Sequence, residues 1–168
     1  MKDYNKIISN FNIDGEVSCA SVYGDGHIND TYYISVNGKR YILQRINKNV
    51  FKNPPQIMSN IEKITRHLRQ KIIAAGGNPE RETLNIIYTK DGKSYHISPE
   101  NDYYRMFAFI MGARTYQTVE KPIHFYNAAK AFGKFQVLLS DFPANELYEP
   151  IPNFHNTQVR YENLLKAI

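Results

Sequence analysis

The sequence predicts an α+β protein that is strand-rich first and helix-rich second, with the two kinds of element segregated rather than alternating. Three observations predict it. Short runs of β-branched and aromatic residues, punctuated by Gly, Asn and Asp, fill most of the stretch before Gly112. Asn37-Gly38, between two such runs, is the strongest short-range hairpin signal. Beyond Gly112 the apolar residues recur at helical spacing.

The first strand is expected over Glu16–Tyr23, with Val17 and Cys19 apolar and Cys19 buried. It runs into GDGHIND, Gly24 to Asp30, which cannot continue a ladder. Thr31–Val36 and Lys39–Asn47 are the second and third strands, joined at Asn37-Gly38. Asn53-Pro54-Pro55 starts a helix, with Asn53 as cap and Pro54 at the first helical position. Its stripe, Ile57, Ile61, Ile64, Leu68 and Ile72, keeps spacings of four, three, four and four. Glu62 and Arg66 stand in the favoured i,i+4 order, and Gly76-Gly77 ends the helix. Leu84–Thr89 and Ser94–Ser98 read as strands around a KDGK turn, and the apolar Tyr103–Met111 as a central strand. Two helices follow, Ile123–Leu139 and Gln158–Ile168, joined by a proline-punctuated connection. The expected division is residues 1–112, a sheet of about five strands with one long helix, and 113–168, the start of a helical unit.

Composition narrows the function classes. With 168 residues, 42% hydrophobic and 22% charged, the chain is neither disordered nor fibrous. A single cysteine, Cys19, excludes a disulfide framework and any multi-cysteine metal site. The longest apolar run, Met106 to Ala113, is too short to span a bilayer, and no membrane partner is expected. The segment MKDYNKIISNFNID lacks the apolar core of a signal peptide, so a cytoplasmic location is expected. The net charge of +5 is concentrated in Lys39–Lys93, with twelve basic and four acidic residues. Such a segment attracts phosphate, but no nucleic-acid motif accompanies it and a nucleic-acid partner is not expected.

The order of elements suggests a chemistry. Gly24 and Gly26, between the first two strands, let backbone amides approach phosphate oxygens. A cation on the third strand can hold phosphates, and a helix carboxylate can fix that cation. Each feature alone is ordinary: Gly-x-Gly is usually just a turn and a helix Glu is usually solvated. Their order together predicts a protein-kinase-like amino-terminal lobe followed by the first helices of a helical carboxyl-terminal lobe.

The runs GHINDTY, YILQRIN, NPPQIMSNIEKITRHL, GGNPERETL, YYRMFAFI, FYNAAKAFGKFQVLLSDFPA and IPNFHNT carry a family resemblance. Together they resemble the amino-terminal half of the N-acetylhexosamine 1-kinase family, within the aminoglycoside phosphotransferase and choline kinase superfamily. The resemblance covers essentially the whole chain and implies a kinase-like fold. It also implies phosphorylation of the anomeric hydroxyl of an N-acetylhexosamine, with ATP and Mg2+ as cofactors.

Carried over residue by residue, the resemblance implies that Gly24, Gly26, His27, Ile28 and Asn29 cover the phosphates. Asn29 stands where protein kinases have a third glycine, and Asn tolerates positive φ better than most residues. Arg45 would be the third-strand cation, in place of the usual lysine, with Gln44 beside it as the competing inward residue and Glu62 as helix partner. Phe109, Ile110 and Met111 would form the hinge against adenine, and His27 and Asp30 could also face the sugar.

Kinase chemistry further needs a proton-accepting aspartate and magnesium ligands. The family's His-x-Asp-x-x-x-x-Asn stretch does not occur in these 168 residues, so no catalytic or metal residue is assigned here. Asp141-Phe142-Pro143 mimics a metal-binding Asp-Phe-Gly but follows a helix directly and reads as a turn. The expectation is the front of a sugar kinase, inactive alone, with its catalytic groups beyond Ile168. The alternative is a non-catalytic nucleotide- or protein-binding remnant of the same fold. Phe125, Ala128, Ala131, Phe132, Phe135 and Leu139 form an apolar stripe that, left bare, predicts self-association.

Overall fold

The architecture is that of a computed structural model, which describes residues 4–24, 26–113, 116 and 118–168. Its centre is a six-stranded antiparallel sheet made of β1 (Val17–Val22), β2 (Asp30–Val36), β3 (Lys39–Arg45), β4 (Ile86–Ile87), β5 (His96–Ile97) and β6 (Tyr103–Ala108). The order across the sheet is β1-β2-β3-β6-β4, and β5 pairs with β6 as well. The expected central strand is therefore central, with β3 on one side and β4 and β5 in tandem on the other. Asn37 and Gly38 both have positive φ, 48° and 73°, which is the turn that matches the twist of a two-residue hairpin.

Alternation divides the sheet into two unlike faces. Ile34, Val36, Tyr41, Leu43, Tyr104 and Met106 are buried together against Ile7 and Ile8 of a short helix, α1 (Tyr4–Ile8), and against Phe11. This is the main core. The opposite face carries Thr31, Gln44 and Arg105, then Tyr33, Ile42 and Phe107, in register across β2, β3 and β6. The long helix α2 (Pro54–Ala74) lies on this second side, where Met58 Sδ is 4.0 Å from Arg105 Nη1. Asn53 caps α2, its Oδ1 accepting from the Gln56 N–H at 3.3 Å, and Ile57, Met58, Leu68 and Ile72 are buried.

Several expectations need correction. Cys19 is exposed rather than buried, because β1 is an edge strand with a register shift between Val17 and Cys19 and nothing covers it. The strand expected over Leu84–Thr89 shrinks to Ile86–Ile87. Past that point Tyr88 and Lys90 exchange backbone bonds with Asn12 and Asn10 instead of with the sheet. The Ser94–Ser98 strand shrinks to His96–Ile97. The central strand ends at Ala108 rather than Met111, although the Phe109 N–H still bonds the Arg40 carbonyl at 3.0 Å. Neither α1 nor the single turn α3 (Pro79–Glu82) is long enough to show a periodic stripe in sequence.

After the sheet come α4 (Pro122–Leu138), a 3-10 turn at Ala144–Glu146 and α5 (Thr157–Ala167). No residue of α4 or α5 is buried. Among the described residues no helix is long and apolar enough to cross a membrane.

The two faces predict unequal costs. Leu43→Ala, which empties a fully buried site, should lower the unfolding free energy by about 2–5 kcal/mol in urea titration. Cys19→Ser, on the open edge strand, should change it by no more than about 0.5 kcal/mol.

Candidate functional site

The loop between β1 and β2 leaves the sheet after Tyr23, whose N–H still bonds the Thr31 carbonyl at 2.9 Å. Gly24 turns the chain with φ of 75°, a conformation that favours glycine. A Cβ at Gly24 or Gly26 would meet nothing within 4 Å, so neither glycine is required by packing. His27 and Ile28 are exposed. Asn29 does not adopt positive φ. Its Oδ1 instead accepts from the Asn47 N–H at 3.0 Å, which latches the loop to the chain following β3. Asp25, inside the same loop, lies outside the described residues.

Arg45 does not face the α2 side. Register pairs it with Asp30 and Tyr104, on the side of the main core. There its Nε donates to Asp30 Oδ2 at 2.6 Å, Nη2 reaches the same oxygen at 2.5 Å, and Nη1 reaches Asp102 Oδ2 at 3.3 Å. The hydrogen bonding it donates to Asp30 is the main reason its already high pKa rises further. Lys48 joins this cluster, 3.9 Å from Asp102 Oδ1 and 2.5 Å from the Asn101 carbonyl. The cluster borders a polar cavity of about 200 Å³ whose walls include Ile28, Asn47 and Asn49.

The expected Arg45–Glu62 pair is therefore not formed. Two other carboxylates already hold Arg45, and it stands on the wrong side of the sheet. Among the described contacts Glu62 makes no ion pair, with Arg66 or any other cation, and lines a shallow depression with Arg66, Arg69 and Glu80. Gln44 is the β3 residue on the α2 side. Its Oε1 accepts from Arg105 Nε at 3.0 Å and its Nε2 donates to Thr31 Oγ1 at 3.0 Å. Arg105 lacked any signal of its own in sequence, being one polar residue in an apolar strand. Only the register opposite Gln44 exposes it.

Aromatic rings gather on the same sheet face. Tyr33 and Phe109 meet edge to face at 5.6 Å, and Tyr23 closes the trio at 5.7 Å from Phe109 and 6.3 Å from Tyr33. Phe109 thus belongs to an edge-to-face aromatic cluster that Tyr23, the last residue before the Gly24 turn, connects to the loop. Ile110 follows it, and Arg81 Nη1 donates to the Met111 carbonyl at 2.6 Å, which ties the segment after β6 to α3. The arrangement offers an aromatic surface at one end of a sheet face and a guanidinium at the other. That pairing suits a ligand with a planar ring and an anionic tail.

Asp141 is a turn residue engaged with α2. It pairs with Lys71, and its Oδ1 is 3.2 Å from His67 Nε2, which is also 3.0 Å from the Leu138 carbonyl. With an acceptor at each contact, Nε2 carries the ring proton. Asn60 and the Tyr148 backbone exchange bonds of 2.8 and 2.9 Å, and Lys63 donates to the Glu146 carbonyl at 2.7 Å.

The chain is similar to an aminoglycoside phosphotransferase from Alicyclobacillus acidocaldarius subsp. acidocaldarius, with a TM-score of 0.62 and 14% sequence identity. The similarity covers 96% of this chain and 42% of that protein, so the chain spans less than half of its length. No protein-family model matches the sequence. The likeness shows the fold: a mixed α+β, kinase-like architecture with an antiparallel sheet and helices.

The Asp141 contacts predict a pH response. The bond from Lys71 holds its carboxyl below the ordinary aspartate range. Its contribution is present above the unfolded pKa of about 4 and is lost as pH falls through the lower folded value. Lys71→Met should raise the Asp141 pKa in a carboxyl NMR titration. Asp141→Asn should flatten the acid limb of stability against pH.

Proposed function

We propose that this chain is the nucleotide-binding front of an ATP-dependent phosphotransferase whose acceptor is the anomeric hydroxyl of an N-acetylhexosamine. The observation that carries the reading is the kinase-like fold shared with a phosphotransferase over 96% of the chain. The sheet face supports it, because Tyr23, the last residue before the Gly24 turn, meets Tyr33 and Phe109 on one surface. The sugar acceptor rests on the family resemblance of GHINDTY and IPNFHNT, and a cytoplasmic location goes with it.

The residues present fit a nucleotide and not a metal. Tyr33 and Phe109 offer faces and edges to a purine, and Gly24 and Gly26 place no Cβ of their own beside the loop amides. Bound ATP would supply the phosphoryl group to be transferred. Among the described residues, no group of three or more His, Cys, Asp or Glu side chains could hold a metal ion. Within the proposal, the magnesium ligands and the proton acceptor are supplied by chain beyond Ile168. His27 is exposed on the loop, and Asp30 is engaged by Arg45; their proposed role toward the sugar is orientation of its hydroxyls.

The second part of the proposal concerns association. Phe125 is 66% exposed and Phe132 72%, with Ala128, Ala131 and Phe135 also exposed and Leu139 half-buried. This apolar surface is what further chain would cover, and a second copy can cover it when that chain is missing.

Two measurements test these readings. The 168-residue chain and a polypeptide extended past Ile168 are each incubated with ATP, Mg2+ and N-acetylglucosamine or N-acetylgalactosamine, and product is read by phosphorus NMR. A sugar 1-phosphate signal is expected from the extended polypeptide alone, and equal rates from both would overturn the reading. In sedimentation at micromolar concentration the 168-residue chain should form a dimer or larger species, and Phe132→Glu should shift it toward monomer.

A further inference from the structure

Among the described residues, Arg105 differs from the other strand and helix cations in combining partial burial with the lack of a carboxylate partner. Arg40, Arg66 and Arg81, which also have none, are exposed. Arg45, Lys48, Lys63, Arg69, Lys71 and Lys134 each lie within 4 Å of a carboxylate. Among the described residues Arg105 has none. Its partners are the Gln44 amide oxygen, the Met58 sulfur at 4.0 Å and the face of Phe107 at 5.4 Å. It is partly buried, and desolvation pushes its pKa down to about 10. An ionised guanidinium that is partly desolvated and unmatched by an anion is costly unless something anionic arrives.

Its position says where that anion would come from. Arg105 stands directly opposite Gln44, in the same row as Thr31, at the end of the sheet face where the Gly24 loop departs. Phe109, the aromatic end of the same face, is four residues further along the chain, or about 13 Å at the rise of a strand. Gln44 contributes no charge, but its amide bridges Arg105 Nε and the Thr31 hydroxyl and so fixes the guanidinium's orientation. Arg45, the cation expected from sequence, is occupied on the other side.

We propose that Arg105 on β6 is the residue that contacts the phosphates of the bound nucleotide, with Gln44 as its positioning residue on β3. The cationic function of the sheet has moved to the neighbouring strand while staying on the same face. This rests on the nucleotide-binding reading above.

The test is equilibrium binding of ATP, ADP and adenosine, measured by calorimetry, to the wild-type protein, Arg105→Met, Arg105→Lys and Arg45→Met. The wild type should bind ATP more tightly than adenosine. Arg105→Met should weaken ATP by about tenfold or more while leaving adenosine unchanged, since it removes a charge-assisted contact to phosphate alone. Arg105→Lys should recover most of the loss, and Arg45→Met should retain the preference for ATP. A full preference in Arg105→Met, or its loss in Arg45→Met alone, overturns the proposal and leaves the nucleotide-binding reading standing. A wild type that binds none of the three ligands overturns both. Should Arg105→Met fail to fold, the wild-type Arg105 Nε resonance serves instead. It should shift with ATP and ADP but not with adenosine, and a resonance that ATP leaves unmoved overturns the proposal.

Discussion

The register of β3 against β6 is the constraint on which the rest of the sheet depends. Leu43 faces Met106 and Arg45 faces Tyr104 on one side, while Ile42 faces Phe107 and Gln44 faces Arg105 on the other. Side chains alternate with a period of two, so a slip of one residue would exchange the faces of an entire strand. The slip is prevented by burial. Leu43 and Met106 are fully enclosed and Tyr104 nearly so. Exposing one such side chain costs about 1.5–3 kcal/mol, and a slip would expose several together. The β2–β3 turn adds a local lock at Asn37-Gly38. The polar face thus inherits its arrangement from the apolar face, and Gln44 and Arg105 meet because Leu43 and Met106 must.

The same register explains why two neighbouring arginines behave differently. Arg45 emerges at the end of β3 on the core side, where Asp30 is its strand partner and Asp102 comes from the segment before β6. Three chain segments converge there, and a cation joins them. Arg105 emerges in mid-strand on the other face, between a glutamine and a methionine. A carboxylate at Gln44 would have neutralised it in place. The amide gives a hydrogen bond without neutralising the charge, so the guanidinium keeps its field.

Much of the fold was legible because the signals were local. Asn37-Gly38 fixes a turn whichever strands flank it, and Asn53-Pro54 with the stripe Ile57 to Ile72 fixes a helix within its own length. The strands β4 and β5 were legible only as apolar runs. The true length of β4 depends on residues 10–12 capturing the backbone of Tyr88 and Lys90, a contact between segments nearly eighty residues apart. Cys19 misled for a related reason: a period-two pattern says which residues share a face but not whether anything covers it. The site was the least legible part. Arg45 is the conspicuous cation of YILQRIN, yet alternation puts Gln44 on the α2 side, where its partner Arg105 comes from a strand about sixty residues later. Arg45 is held by Asp30 of the preceding strand and by Asp102. No spacing within one strand contains that information.

The segment after the sheet is attached by a different kind of interaction from the one that builds the core. Asn60, Lys63, His67 and Lys71, four positions along α2, reach backbone or side-chain groups between Leu138 and Tyr148. These contacts are polar and mostly exposed, and each is worth little in free energy. They are also directional, and together they specify one orientation of the end of α4 on α2. The apolar residues of α4 meanwhile point away from that attachment, with Phe132 and Val137 more than two-thirds exposed. Orientation and burial are thus separated in this half of the chain. Hydrogen bonds determine where α4 sits, while the apolar area that would hold it there strongly remains uncovered. In the sheet both functions fall to the same residues, which is why the register there is robust. In α4 they do not, so the stability of this segment depends on what covers its outer face far more than on the contacts that position it.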